Sequence, residues 1–262
     1  LKDFVAIPAE KKPVVFISHM EHHSNQTSWL ETIADVEVIP STEDGLFSLE
    51  NLKVLLEKYK ERTLKIASIT SCSNVTGIRT PYHEAAKMMH QHNGVCFVDF
   101  ACSGPYVSID MHPEDEEAYL DAIFFSPHKF LGGPGTSGVL VFNKKLYNNM
   151  VPDCPGGGTV SWTNPWGEHK YIDNIEDREY GGAPGFLQVI KKALAIQLKD
   201  EMGIDNILKR EHEIVEYVFD SLQNVPNIKI LAGQHQERLG VISFYIDDLH
   251  FNLGVKLLND LF

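Results

Sequence analysis

Residues 122–142 read AIFFSPHKFLGGPGTSGVLVF: an apolar run, a polar turn carrying Ser126, His128 and Lys129, a glycine-rich bend, and a second apolar run. The pattern is strand, turn, strand. It puts a lysine just past the end of a buried strand, where ligand sites of open α/β sheets gather. Gly133, Gly135 and Gly138 formally satisfy the dinucleotide-binding spacing GxGxxG, but Pro134 interrupts it and the turn leads into a strand instead of opening a helix. No GK[ST] ending makes it a phosphate-binding P-loop either.

Outward from this stretch, residues 13–142 alternate short β-branched runs with helical patterns, the signature of βαβ units feeding a mainly parallel sheet. The spacing predicts strands over 14–18, 36–39, 64–70, 95–100, 122–126 and 137–142. Several are almost continuously apolar, as strands covered on both faces should be. A helix is predicted over 49–62, where Leu52, Leu55, Leu56 and Tyr59 form one stripe, and another over 81–92, opened by Pro81 and terminated near Gly94. The acidic run 114–117 reads as a solvated helix start. The fold class is α/β. The Gly-, Pro- and Trp-rich segment 152–185 reads as a long ordered loop or a short-stranded excursion. Helical patterns at 186–201 and 204–222 and strand-like runs at 228–231 and 240–246 then mark a change. The expected organisation is a large domain over 1–200 and the start of a smaller α+β domain over 201–262. Both ends read as cut, since residue 1 is Leu and GVKLLNDLF stops inside an amphipathic pattern.

The chain has 262 residues, 43% hydrophobic and 23% charged, which is ordinary globular usage. Asp and Glu total 36 against 23 Lys and Arg, giving a formal charge of −13. That field repels phosphodiesters and anionic lipid, so neither nucleic-acid nor membrane partners are expected. No run approaches the length of a membrane span, and the first ten residues lack the basic flank and apolar core of a signal peptide. The chain reads as cytoplasmic. Cys72, Cys96, Cys102 and Cys154 fit neither a zinc pattern nor a disulfide framework and are expected as free thiols.

Four polar clusters each follow a separate apolar strand, so a parallel sheet would gather them at one carboxyl edge. Lys129 there would be desolvated enough to form a Schiff base, although most lysines after strands are solvated surface groups. Asp99, ending the run 95–100, is an acid that needs a cation or strong donor. A protonated pyridine nitrogen would serve, while a helix cap or a structural acceptor would explain it equally. HMEHHSN, residues 19–25, offers an imidazole to stack on a flat ring. A metal site built from His19, Glu21, His22 and His23 is the competing reading, weakened by spacing unlike the HExxH pair. Generic surface histidines are the plain one. In SCSNVTG, residues 71–77, Asn74 offers an amide to a carboxylate, though turn chemistry also accounts for it.

EHHSNQTSW, SNVTG, VDFACSGP, SPHKFLGGPGTSG, the glycines 156–158 and REYGGAPG occur together in one order. The set resembles the class V aminotransferases, fold-type I pyridoxal-phosphate enzymes with a three-layer α/β/α large domain. It is most similar to their cysteine desulfurase and selenocysteine lyase branch. The resemblance implies that Lys129 carries the cofactor as a Schiff base, that Asp99 keeps its ring nitrogen protonated and that His22 stacks on the ring. It further implies that Ser126 and His128 bind the phosphate and that Asn74 lies near the ring oxygen and the substrate carboxylate. Two positions depart from the pattern. Cys102 stands where desulfurases usually carry a glutamine to the ring oxygen, and Ala183 where a threonine commonly reaches the phosphate in the partner subunit. The family's N-terminal phosphate turn is expected before Leu1, and its sulfur-accepting cysteine loop after Phe262. The implied activity is removal of sulfur or selenium from a cysteine-type substrate to leave alanine, by a homodimer that hands sulfur to an acceptor protein. A transaminase, epimerase or kynureninase-like reaction is the alternative. No metal is expected.

Overall fold

Val14, Val15 and Phe16 expose none of their surface and Ile17 only 1%, so this β-branched run is covered on both faces. In the computed structural model, which describes residues 7–262, it is strand β1 (Val14–Ser18). The cut chain start read from the sequence lies outside the described residues. The next elements are α1 (His23–Leu30), β2 (Asp35–Ile39), α2 (Leu49–Lys58), β3 (Lys65–Thr70), α3 (Tyr82–Gln91), β4 (Val95–Asp99), β5 (Ala122–Phe125) and β6 (Val139–Phe142). They build one six-stranded sheet in the order β2-β1-β3-β4-β5-β6. All neighbours are parallel except β5 and β6. The connection 126–138 contains a turn and no crossover helix, so the chain returns beside β5 in the opposite sense.

Leu52 and Leu56 of α2 and Ala85, Ala86 and Met89 of α3 are fully buried in one core with Phe16, Ile69 and Val98. On the opposite face Trp29 of α1 packs with Val15 and Ile17 and stacks on Phe97 at 6.2 Å. The sheet therefore has helices on both sides, as the sequence reading expects.

The differences from that reading are local. Helix α2 ends at Lys58 because Tyr59 leaves helical geometry at φ −107°; its ring meets Phe16 edge-on at 6.0 Å. Pro81 caps α3 instead of opening it. The residue in left-handed geometry after α3 is Asn93, φ 55°, while the Gly94 amide closes the end onto Met89 O at 2.8 Å. Residues 114–117 form a turn and not a helix start: the Asp115 side chain accepts from Glu117 N, and its backbone carbonyl from Ala118 N. Helix α1 was not anticipated, since it carries no apolar stripe.

The segment 152–185 is the short-stranded alternative. It holds an antiparallel pair, β7 (Val160–Thr163) and β8 (His169–Tyr171), then α4 (Ile175–Glu179). Helices α5 (Phe186–Met202) and α6 (Ile204–Leu222), the antiparallel strands β9 (Ile228–Ile230) and β10 (Phe244–Ile246), and α7 (Phe251–Leu261) complete the described chain.

Candidate active site

Strands β1, β3, β4 and β5 are adjacent and point the same way, so the polar turns that follow them meet at one edge. They enclose a cleft of about 660 Å³ lined by His22, Asn74, Asp99, Cys102, Ser126, His128 and Lys129 among others. Seven of the eight residues marked by the resemblance are thus brought together. Ala183 does not line this cleft; it is exposed, beside Gly182, whose amide bonds to Gly157 O at 2.8 Å. Its expected role toward a second copy concerns an assembly that a single chain does not contain. No group of three or more His, Cys, Asp or Glu among the described residues is placed to hold a metal, and the metal reading of 19–23 gains no support.

Each turn is fixed by its own chemistry. His22 caps α1, its Nδ1 accepting from Ser24 N at 3.1 Å. Behind it Glu21 accepts from Thr70 N at 2.9 Å and from Asn25 Nδ2 at 2.7 Å. Asn25 in turn donates to Ser68 O and accepts from Ser68 Oγ and Trp29 Nε1. Burial pushes the Glu21 carboxyl up, against the pull of these hydrogen bonds. Glu21 thus ties the His22 turn to β3.

After β3, Gly77 has φ 73°, and a Cβ there would stand 2.4 Å from Leu239 O. The SNVTG turn therefore needs glycine so that residues 239–241 can lie against it. After β5, Lys129 N bonds to Ser126 O at 3.0 Å in the turn Pro127–Lys129. A Cβ on Gly133 would fall 1.8 Å from Pro127 O, which is why the glycine-rich bend follows the lysine.

Asp99 is the buried acid of the cleft. It is 7% exposed; Oδ1 accepts from Ala101 N at 2.7 Å, and Oδ2 has no hydrogen-bond partner among the described residues. Burial raises its carboxyl above the ordinary range, and Lys129 and His22 pull it back. Lys129 Nζ likewise has no hydrogen-bond partner among the described residues, and its side chain is exposed to the cleft. A half-satisfied buried acid facing an unpaired amine fits a ligand with a protonated ring nitrogen and an aldehyde. Ser126 and His128 add hydrogen-bonding groups suited to a phosphate.

Two positioning residues escaped the sequence reading. Lys199 of α5 is buried and donates to Gly104 O at 2.7 Å and Val107 O at 2.5 Å, below the Phe130 ring. It anchors the chain just after Cys102 beside the turn of Lys129. Desolvation lowers its pKa. Its signal was a lysine four residues after Ala195 on the buried side of α5. Arg238 donates to Thr76 O at 3.0 Å and to the carbonyls of Leu231, Ala232 and His235, packed on Phe219. Nothing in its neighbourhood in sequence marks it.

The aminotransferase class-V family model matches residues 4–261. The chain belongs to the class V aminotransferase family. Probable cysteine desulfurases of Halalkalibacterium halodurans and Staphylococcus epidermidis are each 31% identical, over 90% of this chain and 56% and 55% of their own lengths. The chain thus spans little more than half the length of these curated class V relatives. Among solved structures, an apo cysteine desulfurase from Thermococcus onnurineus NA1 superposes with a TM-score of 0.82 at 22% identity, covering 96% of this chain and 61% of that one. A cysteine desulfurase from Escherichia coli gives 0.81 at 23%, over 96% and 60%. At that identity these structures establish the class V fold and not the reaction.

Proposed function

We propose that this chain is the cofactor-binding part of a pyridoxal-phosphate enzyme of the cysteine desulfurase type, taking sulfur or selenium from a cysteine-like amino acid and leaving alanine. The observation that carries it is Asp99, buried with one oxygen unspent, in the same cleft as the unpaired Lys129. In the proposed complex Lys129 would hold the cofactor covalently, Asp99 would accept the ring N–H, His22 would cover the ring, and Ser126 and His128 would hold the phosphate. When bound, pyridoxal phosphate supplies a ring that spreads negative charge away from the amino-acid α-carbon. Asp99 would favour that by holding a proton at the ring nitrogen. Lys129 would also be the group placed to move a proton at the substrate α-carbon. Asn74, presented by the glycine-fixed turn, would orient the substrate carboxylate.

The proposed organisation is a large domain over 1–200 and a smaller one starting at 201, in a cytoplasmic homodimer that passes sulfur to an acceptor protein. In support, all four cysteines are free, and no described helix is long and apolar enough to cross a membrane. Borohydride reduction of the natural-length protein with pyridoxal phosphate, followed by peptide mapping, should place the adduct on Lys129. Cysteine should then yield sulfide and alanine. No adduct at Lys129 would sink the cofactor assignment, and amino transfer to a keto acid without sulfide would sink the desulfurase assignment.

A further inference from the structure

Two of the four cysteines share the wall of the cleft, and the mechanism above uses neither thiol. Cys72 follows β3 and Cys102 follows β4, and their sulfurs converge on one acceptor: Cys72 Sγ lies 3.6 Å and Cys102 Sγ 3.8 Å from Ser73 O. The two turns are braced around that point. Ser71 N and Ser71 Oγ both donate to Asp99 O at 2.9 Å, and Ser71 Oγ meets Ser103 Oγ at 2.5 Å. The thiols are thus held as neighbours by hydrogen bonds that do not involve them.

Their environments differ in a way that assigns roles. The Cys102 thiol is held below the ordinary range by hydrogen bonding from Cys72 and by the charge of Lys129. Cys72 is fully buried as a residue and is pushed up by Cys102 and by burial. The other two thiols offer contrast: Cys96 is buried in the core with no face to the cleft, and Cys154 is exposed in the segment after β6.

We propose that Cys102 and Cys72 form a dithiol exchange site in the cleft wall, whose substrates are low-molecular-weight disulfides. Cys102 thiolate attacks one sulfur of RSSR; that S–S bond breaks, a Cys102–SR bond forms, and the first RS⁻ leaves and takes up a proton. Cys72, giving its proton to solvent, then attacks Cys102 Sγ and expels the second RS⁻, which is protonated in turn. The two protein thiols are oxidised to one disulfide, and RSSR is reduced to two RSH. Cys72 lies two residues before Asn74 and Cys102 three residues after Asp99, so the bond would join the turns that present the two groups.

The probe is oxidised glutathione, added to the natural-length protein and followed by acid quenching, unfolding in denaturant so that the buried Cys72 and Cys96 are reached, alkylation of the remaining thiols and peptide mapping. Chymotryptic cleavage after Phe97 and Phe100 separates Cys96 from Cys102. The expected result is concerted loss of alkylation at Cys72 and Cys102 with recovery of the cross-linked peptide pair, reversed by dithiothreitol. Cys72→Ser should instead accumulate the glutathione adduct on Cys102, and Cys102→Ser should leave Cys72 alkylatable. A stable adduct on Cys102 in the wild-type protein without cross-linking would overturn the proposal. So would modification confined to Cys154. The wild-type map decides alone if either variant fails to fold.

Discussion

Asp99 and Asp121 are buried acids at opposite ends of the same pair of strands, β4 and β5, and are 7% and 3% exposed. At the amino end, Asp121 Oδ2 accepts from Cys96 N at 2.8 Å and meets His90 Nε2 at 2.9 Å. At the carboxyl end, Asp99 has one backbone partner and an oxygen left over. Burial of a carboxylate is costly in either place. At one end the neighbours answer it, closing α3 onto the sheet; at the other the demand is turned toward a cleft that also holds an unpaired lysine. How far a buried acid's hydrogen bonds are satisfied therefore separates an acid that holds the fold from one that waits for a ligand.

The largest effect should come from the open end. Lys129→Ala should lower turnover by about 10²–10⁴-fold or more, the range associated with losing a positioned proton-transfer group, and remove borohydride-trappable cofactor. Because its amine has no hydrogen-bond partner among the described residues, the thermal midpoint of the cofactor-free protein should not move. Parallel calorimetry and steady-state assays check this, and a variant that loses activity only by unfolding would erase the distinction between the two ends.

Exchanging the acids sharpens it. Asp99→Asn should cost about a hundredfold in turnover while leaving stability equal or higher. Its folded-state carboxyl sits above the ordinary value, so the folded state binds the proton more tightly and the charged acid opposes folding as pH rises past the unfolded value. Asparagine removes that penalty. Asp121→Ala should do the reverse, destabilising by about 1–3 kcal/mol for each group left unpaired at Cys96 N and His90, with turnover per folded molecule unchanged. Denaturant titration beside kinetics reads both. A loss of stability for Asp99→Asn matching that for Asp121→Ala would mean that both acids are structural.

This distinction explains what could be read from the sequence. The strands and the cleft residues were legible because a doubly covered parallel strand leaves an unbroken apolar run, and whatever polar group follows it must sit at the carboxyl edge. Asp99, Asn74 and Lys129 follow that rule. Lys199 and Arg238 do not, since each works by satisfying backbone groups distant in sequence: Lys199 reaches Gly104 O and Val107 O, and Arg238 reaches Thr76 O. Helix α1 was missed for a related reason. It is held by Asn25 and Trp29 reaching into the sheet instead of by an apolar stripe, so its period carries no signal.

The smallest predicted effect is a pH dependence confined to the closed end. His90 stacks on Tyr119 at 3.9 Å and is bonded through Nδ1 to Glu117 O at 2.6 Å and through Nε2 to Asp121. Desolvation pulls its pKa down, but the hydrogen bonds and the Asp121 charge win and raise it above the ordinary value. The folded state therefore holds the imidazolium more tightly than the unfolded chain. The stabilisation is complete below the unfolded value of about 6.5 and is lost as pH rises through the higher folded value. Thermal midpoints should fall with rising pH across that interval, and His90→Gln should flatten this part of the profile while leaving the pH dependence of turnover in place. If His90→Gln instead shifted the turnover profile, the amino-end acid would be coupled to the chemistry at the carboxyl edge, and the two ends of β4 and β5 would have to be treated as one system.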